Sequence, residues 1–157
     1  MTIRKATIKD AHYIQKLVNF YASKNLMMPR SLNEIYENIR DFWVAFDKND
    51  IFMGCAALHI VGWEGLAEIK SLAVEKKYQK KTIGSALVNT CLSEASCLSI
   101  DQIFVLTYQP IFFKKFGFKI VSKNKLPHKV WVECCNCPKF PNCTETALIK
   151  KTGKKYK

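Results

Sequence analysis

The chain has 157 residues, 48% hydrophobic, 12% aromatic and 24% charged, enough for one well-cored domain and too few for two of ordinary size. Its longest apolar-rich run, Ile51 to Trp63, contains His59 and falls well short of the roughly 20 residues that cross a bilayer, so no transmembrane helix is expected. A formal charge of +12 favours anionic ligands. Apart from Arg4, Arg30 and Arg40 the basic residues are lysines, which counts against sequence-reading nucleic-acid surfaces built on the guanidinium fork.

The opening residues, Met1 to Asp10, mix Arg4, Lys5, Lys9 and Asp10 with apolar side chains and lack the apolar core of an export signal. Seven cysteines form an odd set, which suits free or metal-bound thiols in a reducing, cytoplasmic setting better than a disulfide framework.

Ile3, Ala6 and Ile8 suggest a short strand. Asp10 then stands as a helix cap before apolar positions at Ile14, Leu17, Val18, Tyr21 and Ala22, the spacing of an amphipathic helix. Pro29 disfavours helix at Met28, and Ser31 with Glu34 forms a capping box for a second helix running to about Arg40. Phe42 to Phe46, Ile51 to Val61 and Leu66 to Val74 are β-rich runs separated by Asp47 to Asp50 and by Gly62 and Gly65, as in an antiparallel meander. Thr82 opens a helix with Ile83, Ala86, Leu87, Thr90, Cys91 and Ala95 on one face. A strand at Gln102 to Thr107, a short helix from about Pro110 to Phe116 ended by Gly117, and strands at Phe118 to Val121 and Thr146 to Ile149 complete the pattern. The expected domain is residues 1–150, with a Cys-rich insert at about 126–143 and a basic tail over 151–157. The lysines from Lys150 onward read as a solvated, frayed end.

The most informative segment is the strand Leu66 to Val74, which leads through Tyr78-Gln79-Lys80-Lys81-Thr82-Ile83-Gly84 into the amphipathic helix. A helix start leaves backbone N–H groups unpaired and carries partial positive charge, so a turn there can wrap a diphosphate. Lys77, Lys80 and Lys81 add to the field.

This strand, turn and helix, and the order of elements around them, resemble the GNAT superfamily of acetyl-CoA-dependent N-acyltransferases. The family's turn reads Gln or Arg, two residues, Gly, one residue, then Gly or Ala; Gln79 and Gly84 match, and Thr82 replaces the first glycine. There Thr82 either restricts backbone approach to the phosphate, if φ must be positive, or caps the helix through its hydroxyl. The resemblance implies an α/β (α+β) GNAT fold, a mixed and mostly antiparallel central sheet flanked by helices. Met53-Gly54-Cys55-Ala56-Ala57-Leu58, Phe104 to Thr107, Phe116-Gly117-Phe118 and Leu26 to Ser31 look like the acetyltransferase domain of N-acetylglutamate synthases.

The resemblance implies that Leu72, Ala73 and Val74 offer backbone groups to the pantetheine arm and acetyl carbonyl, while Gln79, Lys80, Lys81, Thr82, Ile83, Gly84 and Ser85 hold the diphosphate of acetyl-CoA. Glu68 stands where several family members carry a general base. The usual tyrosine acid meets Phe112 or Phe113, and Tyr108 is the stand-in, weighed against an aromatic that only packs. Arg30 is the anchor for a substrate carboxylate, and His59 and Lys70 are further substrate-side candidates, His59 weighed against a structural histidine. Gln109 and Phe116 fall where the synthases carry arginines for their dicarboxylate substrate, which weakens the glutamate assignment.

In the insert, His128, Cys134, Cys137 and Cys143 have the residue types of a closed tetrahedral zinc site, with a Pro-rich loop of free thiols, or a single disulfide, as the alternative. Cys55, Cys91 and Cys97 read as small core residues. The expected enzyme moves acetyl from acetyl-CoA to the amine of a small carboxylate-bearing metabolite, an amino acid with glutamate favoured, as in arginine biosynthesis. Its expected partner is that small molecule, with no membrane, nucleic acid disfavoured, and a homodimer left open. The rivals are a GNAT enzyme acting on a protein or polyamine amine, and a non-enzymatic nucleic-acid-binding module.

Overall fold

A computed structural model describes residues 1–62, 65–126 and 134–153. Its elements fall into two units, Met1–His59 with Ile69–Glu94, and Ile60–Glu68 with Ala95–Lys157.

In the first unit, β1 (Thr2–Lys5), β2 (Phe42–Phe46), β3 (Phe52–Ile60) and the later part of β4 (Leu66–Val74) lie side by side in that order. β1 and β2 are antiparallel from Thr2↔Phe46 to Lys5↔Trp43; β2 and β3 are antiparallel from Phe42↔Ala57, with a register shift at Ala45/Phe46. β3 is buried without a break from Phe52 to Leu58, so its sequence is a continuous apolar run instead of an alternation. α1 (Ala11–Ala22) buries Ala11, Ile14, Leu17 and Val18, the helical stripe its spacing predicts. These four join Ile35, Phe42, Val44, Phe46, Phe52, Cys55, Ala57 and Ala73 in one core.

Two local expectations are corrected here. Asp10 stands at the N-cap of α1, but its side chain makes no capping bond there. It accepts from Arg4 Nη1 at 2.7 Å and Nη2 at 2.9 Å, and from the Thr7 N–H at 2.7 Å, because a guanidinium fork and a free N–H satisfy a buried carboxylate better than a helix end alone. α2 (Leu32–Glu37) starts on the expected capping box, with Glu34 N–H to Ser31 Oγ at 3.1 Å and Ser31 N–H to Glu34 Oε2 at 2.9 Å. It ends at Glu37, short of Arg40. The Asn38 side-chain amide donates to the Glu34 carbonyl at 2.8 Å, competing with helix continuation, and the chain tightens into a 3-10 turn over Ile39–Asp41. α3 (Ile83–Cys97) follows β4 and buries Ile83, Leu87, Val88, Cys91 and Ala95.

In the second unit the order is β4, β5 (Gln102–Thr107), β7 (Thr146–Lys151), β6 (Lys119–Val121). β5 runs parallel to β4, Glu68 opposite Phe104, and antiparallel to β7; β6 and β7 are antiparallel. A parallel pair needs a crossover, and α3 supplies it. The described strands therefore give the mixed, mostly antiparallel α/β sheet that was expected. Leu66, Phe104, Leu126 and Ala147 form the core. α4 (Pro110–Lys114) has Pro at its first position and ends before Phe116, and Gly117 takes φ +84°. β7 continues to Lys151, with Ile103 opposite Lys150 and Gln102 opposite Lys151, so Lys151, the first lysine of the basic tail, pairs in the sheet. Residues 154–157 lie outside the described residues.

Candidate functional site

In the first unit, β4 carries an irregularity that alternation alone does not show. Ser71 takes φ +52°, a left-handed conformation that interrupts an extended strand, and burial along β4 loses its alternation there. The Ser71 carbonyl accepts from the Cys55 thiol at 3.5 Å. Leu72, Ala73 and Val74 follow this break. The Tyr21 hydroxyl, from α1, donates to the Val74 carbonyl at 2.7 Å and accepts from the Gln79 side-chain amide at 2.6 Å. Gln79 thus ties the turn to α1 through Tyr21, which sequence reading took only as a helix-face residue.

Past Val74, a 3-10 turn at Lys76–Tyr78 brings Lys77 and Lys81 over the Tyr78 ring, 4.8 and 5.6 Å from its centroid. Gln79, Lys80, Lys81 and Thr82 are exposed. Lys80 and Thr82 have φ +61° and +53°, so the position where the family turn has glycine does need positive φ, and Thr82 adopts it. The first helical bond runs from Ala86 N–H to Thr82 O at 2.8 Å, which leaves Ile83, Gly84 and Ser85 N–H groups without intrahelical partners. Left-handed residues beside a helix start, with lysines around them, are the local elements from which phosphate-binding turns are built.

Arg30 is held on both sides of its backbone: its N–H donates to Asn19 Oδ1 at 2.9 Å and its carbonyl accepts from Asn19 Nδ2 at 3.0 Å. Its side chain is 11% exposed and meets Glu34 Oε1 at 3.4 Å. Burial alone would raise the Glu34 carboxyl, but the Ser31 N–H and the Arg30 charge outweigh it and hold it below the usual range. His59 Nδ1 lies 2.6 Å from Asp41 Oδ2, an orienting partner that sequence reading missed. Lys70 is half-buried on β4 just before Ser71. Burial pushes the Cys55 and Cys91 thiols up to about 12, the state of inert core cysteines.

In the second unit, Glu68 is half-buried on β4. Its charge helps push the Cys134 thiol up to about 11, behind burial and ahead of Cys143 and Cys137. The Tyr108 hydroxyl, just past β5, accepts from Lys139 Nζ at 2.6 Å and from Thr144 Oγ1 at 3.4 Å, and Lys139 Nζ also sits 4.4 Å from the ring centroid. Glu145 is pushed up by burial, against the charges of Lys139 and Lys123 and a bond from the Cys143 thiol.

One cysteine expectation is corrected: Cys97 is exposed, at the last residue of α3. Among the described residues, no group of three or more His, Cys, Asp or Glu side chains is arranged to hold a metal ion. Cys134, Cys137 and Cys143 are free thiols, and His128 lies outside the described residues.

Residues 38–120, from the end of α2 into β6, match the profile of the Acetyltransferase (GNAT) domain. The chain belongs to this family. As a GNAT acetyltransferase it is an acetyl-CoA-dependent N-acetyltransferase, which removes the non-enzymatic module from contention. It is 39% identical to an N-acetyltransferase of Chlorobaculum tepidum over 94% of both chains. It is 34% identical to the amino-acid acetyltransferase of Mycobacterium tuberculosis over 85% of this chain and 76% of that one. The structure of Rv2747 from M. tuberculosis, in complex with CoA, is similar at a TM-score of 0.84 and 28% identity, over 96% of this chain and 99% of that one. No described helix is long and apolar enough to cross a membrane.

Proposed function

We propose that this GNAT acetyltransferase moves acetyl from acetyl-CoA to the α-amine of an amino acid, glutamate first among them, as in arginine biosynthesis. The observation that carries the substrate class is Arg30, whose backbone Asn19 holds on both sides and whose mostly buried guanidinium is set by Glu34. A pre-placed fork grips a carboxylate bidentately at little entropic cost. The likeness to an amino-acid acetyltransferase supports the same class. The +12 charge opposes a polyamine substrate, and free thiols at all seven cysteines suit a cytoplasmic setting.

Acetyl-CoA supplies an activated acyl carbon and a thiolate leaving group. Backbone groups of Leu72 to Val74 hold the arm and the acetyl carbonyl, and Gln79 to Ser85 hold the diphosphate, Gln79 by fixing the turn to Tyr21. Glu68 takes a proton from the substrate ammonium, directly or through water, and Tyr108 gives one to the departing sulfur. Arg30 holds the substrate carboxylate, with His59 and Lys70 on the substrate side. Gln109 and Phe116 leave the second carboxylate of glutamate without the arginines of the synthases, so a shorter or less acidic amino acid is the second candidate.

The test is chromatographic measurement of free CoA with acetyl-CoA and a panel of amino acids, a polyamine and a lysine peptide. Turnover on an amino acid, abolished by blocking its carboxylate as the amide, is expected. Turnover confined to the polyamine or the peptide would overturn the reading.

A further inference from the structure

The insert between β6 and β7 contributes no metal group among the described residues, yet it sends two polar groups to one phenol. Lys139 Nζ donates to the Tyr108 hydroxyl at 2.6 Å and lies 4.4 Å from the ring centroid. Thr144 Oγ1 donates to the same oxygen at 3.4 Å. A phenolic oxygen has two acceptor sites and one proton. With an ammonium and a hydroxyl on its acceptor sites, the remaining capacity of Tyr108 is to give its own proton. The ring contact restrains the side chain and the hydrogen bond sets the oxygen, so one lysine fixes both the ring and its hydroxyl. An aromatic that serves only as packing calls for neither.

We infer that Lys139 is a positioning residue for the acyl transfer, holding Tyr108 ready as the general acid. The inference rests on the acetyl-transfer reading and on Tyr108 as its acid. As the amine nitrogen forms its bond to the acyl carbon, the C–S bond breaks and its electron pair goes to sulfur. The Tyr108 proton follows onto sulfur to give the free thiol, the phenolate oxygen stays against the Lys139 ammonium, and solvent returns the proton. Glu68, having passed the first proton of the substrate ammonium to solvent, takes the second as the C–N bond forms and releases that to solvent too, so the amine's two protons, the thiol proton and the charge balance. Glu145, half-buried beside Thr144 and under the field of Lys139 and Lys123, and the Cys143 thiol bonded to it are titratable groups near this lysine among the described residues.

The experiment is a two-by-two set on the full chain: wild type, Tyr108→Phe, Lys139→Met and the double variant, with Lys139→Arg as the conservative replacement. Loss of a charge-assisted hydrogen bond at the acid lowers kcat by about tenfold to a hundredfold in Lys139→Met, with the KM for acetyl-CoA and the Tm close to wild type. Lys139→Arg recovers most of that loss. Because Lys139 acts through the Tyr108 hydroxyl, Lys139→Met has no further effect on kcat once Tyr108→Phe is present. An equal loss in both backgrounds, or no loss in either, overturns the positioning role. If Tyr108→Phe keeps full kcat, the acid assignment fails and this inference with it. If wild type releases no CoA with any amine, the function reading itself fails, and the four results are distinguishable from one another.

Discussion

Gly54 offers a direct test of how closely β3 approaches the segment of β4 assigned to the cofactor arm. A Cβ built there would lie 2.6 Å from the Ala73 carbonyl oxygen and 3.2 Å from Val74 Cα. Both are backbone atoms, so a rotamer change cannot relieve the clash and β4 must move. Overpacking of this kind costs about 1–3 kcal/mol. The stiffer unfolded chain of an alanine returns about 0.4–1 kcal/mol, leaving about 1–2 kcal/mol of destabilisation. At about 2–4 °C per kcal/mol for a chain of this size, Gly54→Ala should lower the Tm by about 2–8 °C. Displacing Ala73 and Val74 by a few tenths of an ångström also weakens a hydrogen bond to the pantetheine arm, a loss of about threefold to tenfold in acetyl-CoA affinity. The control ligand is 3′-phosphoadenosine 5′-diphosphate, which keeps the diphosphate and lacks the arm, so its affinity should hold. Scanning fluorimetry and calorimetric titration of both ligands decide it. An unchanged Tm would refute the close approach, and an equal loss for the two ligands would refute the assignment of Leu72 to Val74 to the arm.

Glu68→Gln should lower kcat by about 10²–10⁴-fold, the range for a lost general base, with the Kd for acetyl-CoA unchanged; turnover equal to wild type removes Glu68 as the base. Arg30→Ala should raise the KM for an amino-acid substrate by about tenfold to a hundredfold while leaving the Kd for acetyl-CoA alone, and an unchanged KM excludes the anchor. Asp10 gives a stability prediction. Burial alone would raise its carboxyl, but the Arg4 fork and the Thr7 N–H and hydroxyl outweigh it and hold it low. A depressed carboxyl stabilises the fold above its unfolded value of about 3.9, and that contribution disappears as pH falls through the lower folded value. Denaturation of Asp10→Asn should therefore lose part of the acid dependence below about pH 4, and an acid limb identical to wild type would contradict the linkage.

β4 and β5 begin and end where their sequences say, Leu66–Val74 and Gln102–Thr107, because Gly65 at φ +73° and the apolar runs mark them strongly. Helix ends were harder to read wherever a side chain competed for backbone, as Asn38 does for the Glu34 carbonyl. The Gln79 to Gly84 turn was legible because its chemistry is local. Tyr21 was not, since its partners Val74 and Gln79 stand 53 and 58 positions away, and no spacing rule links such residues. The same holds for Lys139 and Tyr108, 31 positions apart. Ser71 did leave a trace: it shares the inward parity of Ile69 and Ala73, both buried, and a polar residue at that register in a buried strand signals a break in the pleat.

That break belongs to a wider pattern. Described residues other than glycine with positive φ are Asn25, Asp50, Ser71, Lys80, Thr82 and Ser99. Asn25 and Asp50 are of the types that tolerate the left-handed region, and Ser99 closes the chain after α3, its N–H bonded to the Ser96 carbonyl at 3.3 Å. The other three are a serine, a lysine and a threonine, types for which the conformation costs roughly 1–2 kcal/mol each, and all three fall within 71–82. Nothing about connecting a strand to a helix requires three such residues, since an ordinary turn with glycine would do it without the cost. Left-handed residues turn backbone N–H groups out of a strand's ladder. The strain in the first unit is therefore concentrated in the segment proposed to hold the thioester arm and the diphosphate, and Thr82, the residue that departs from the family's glycine, takes the positive φ open to a glycine.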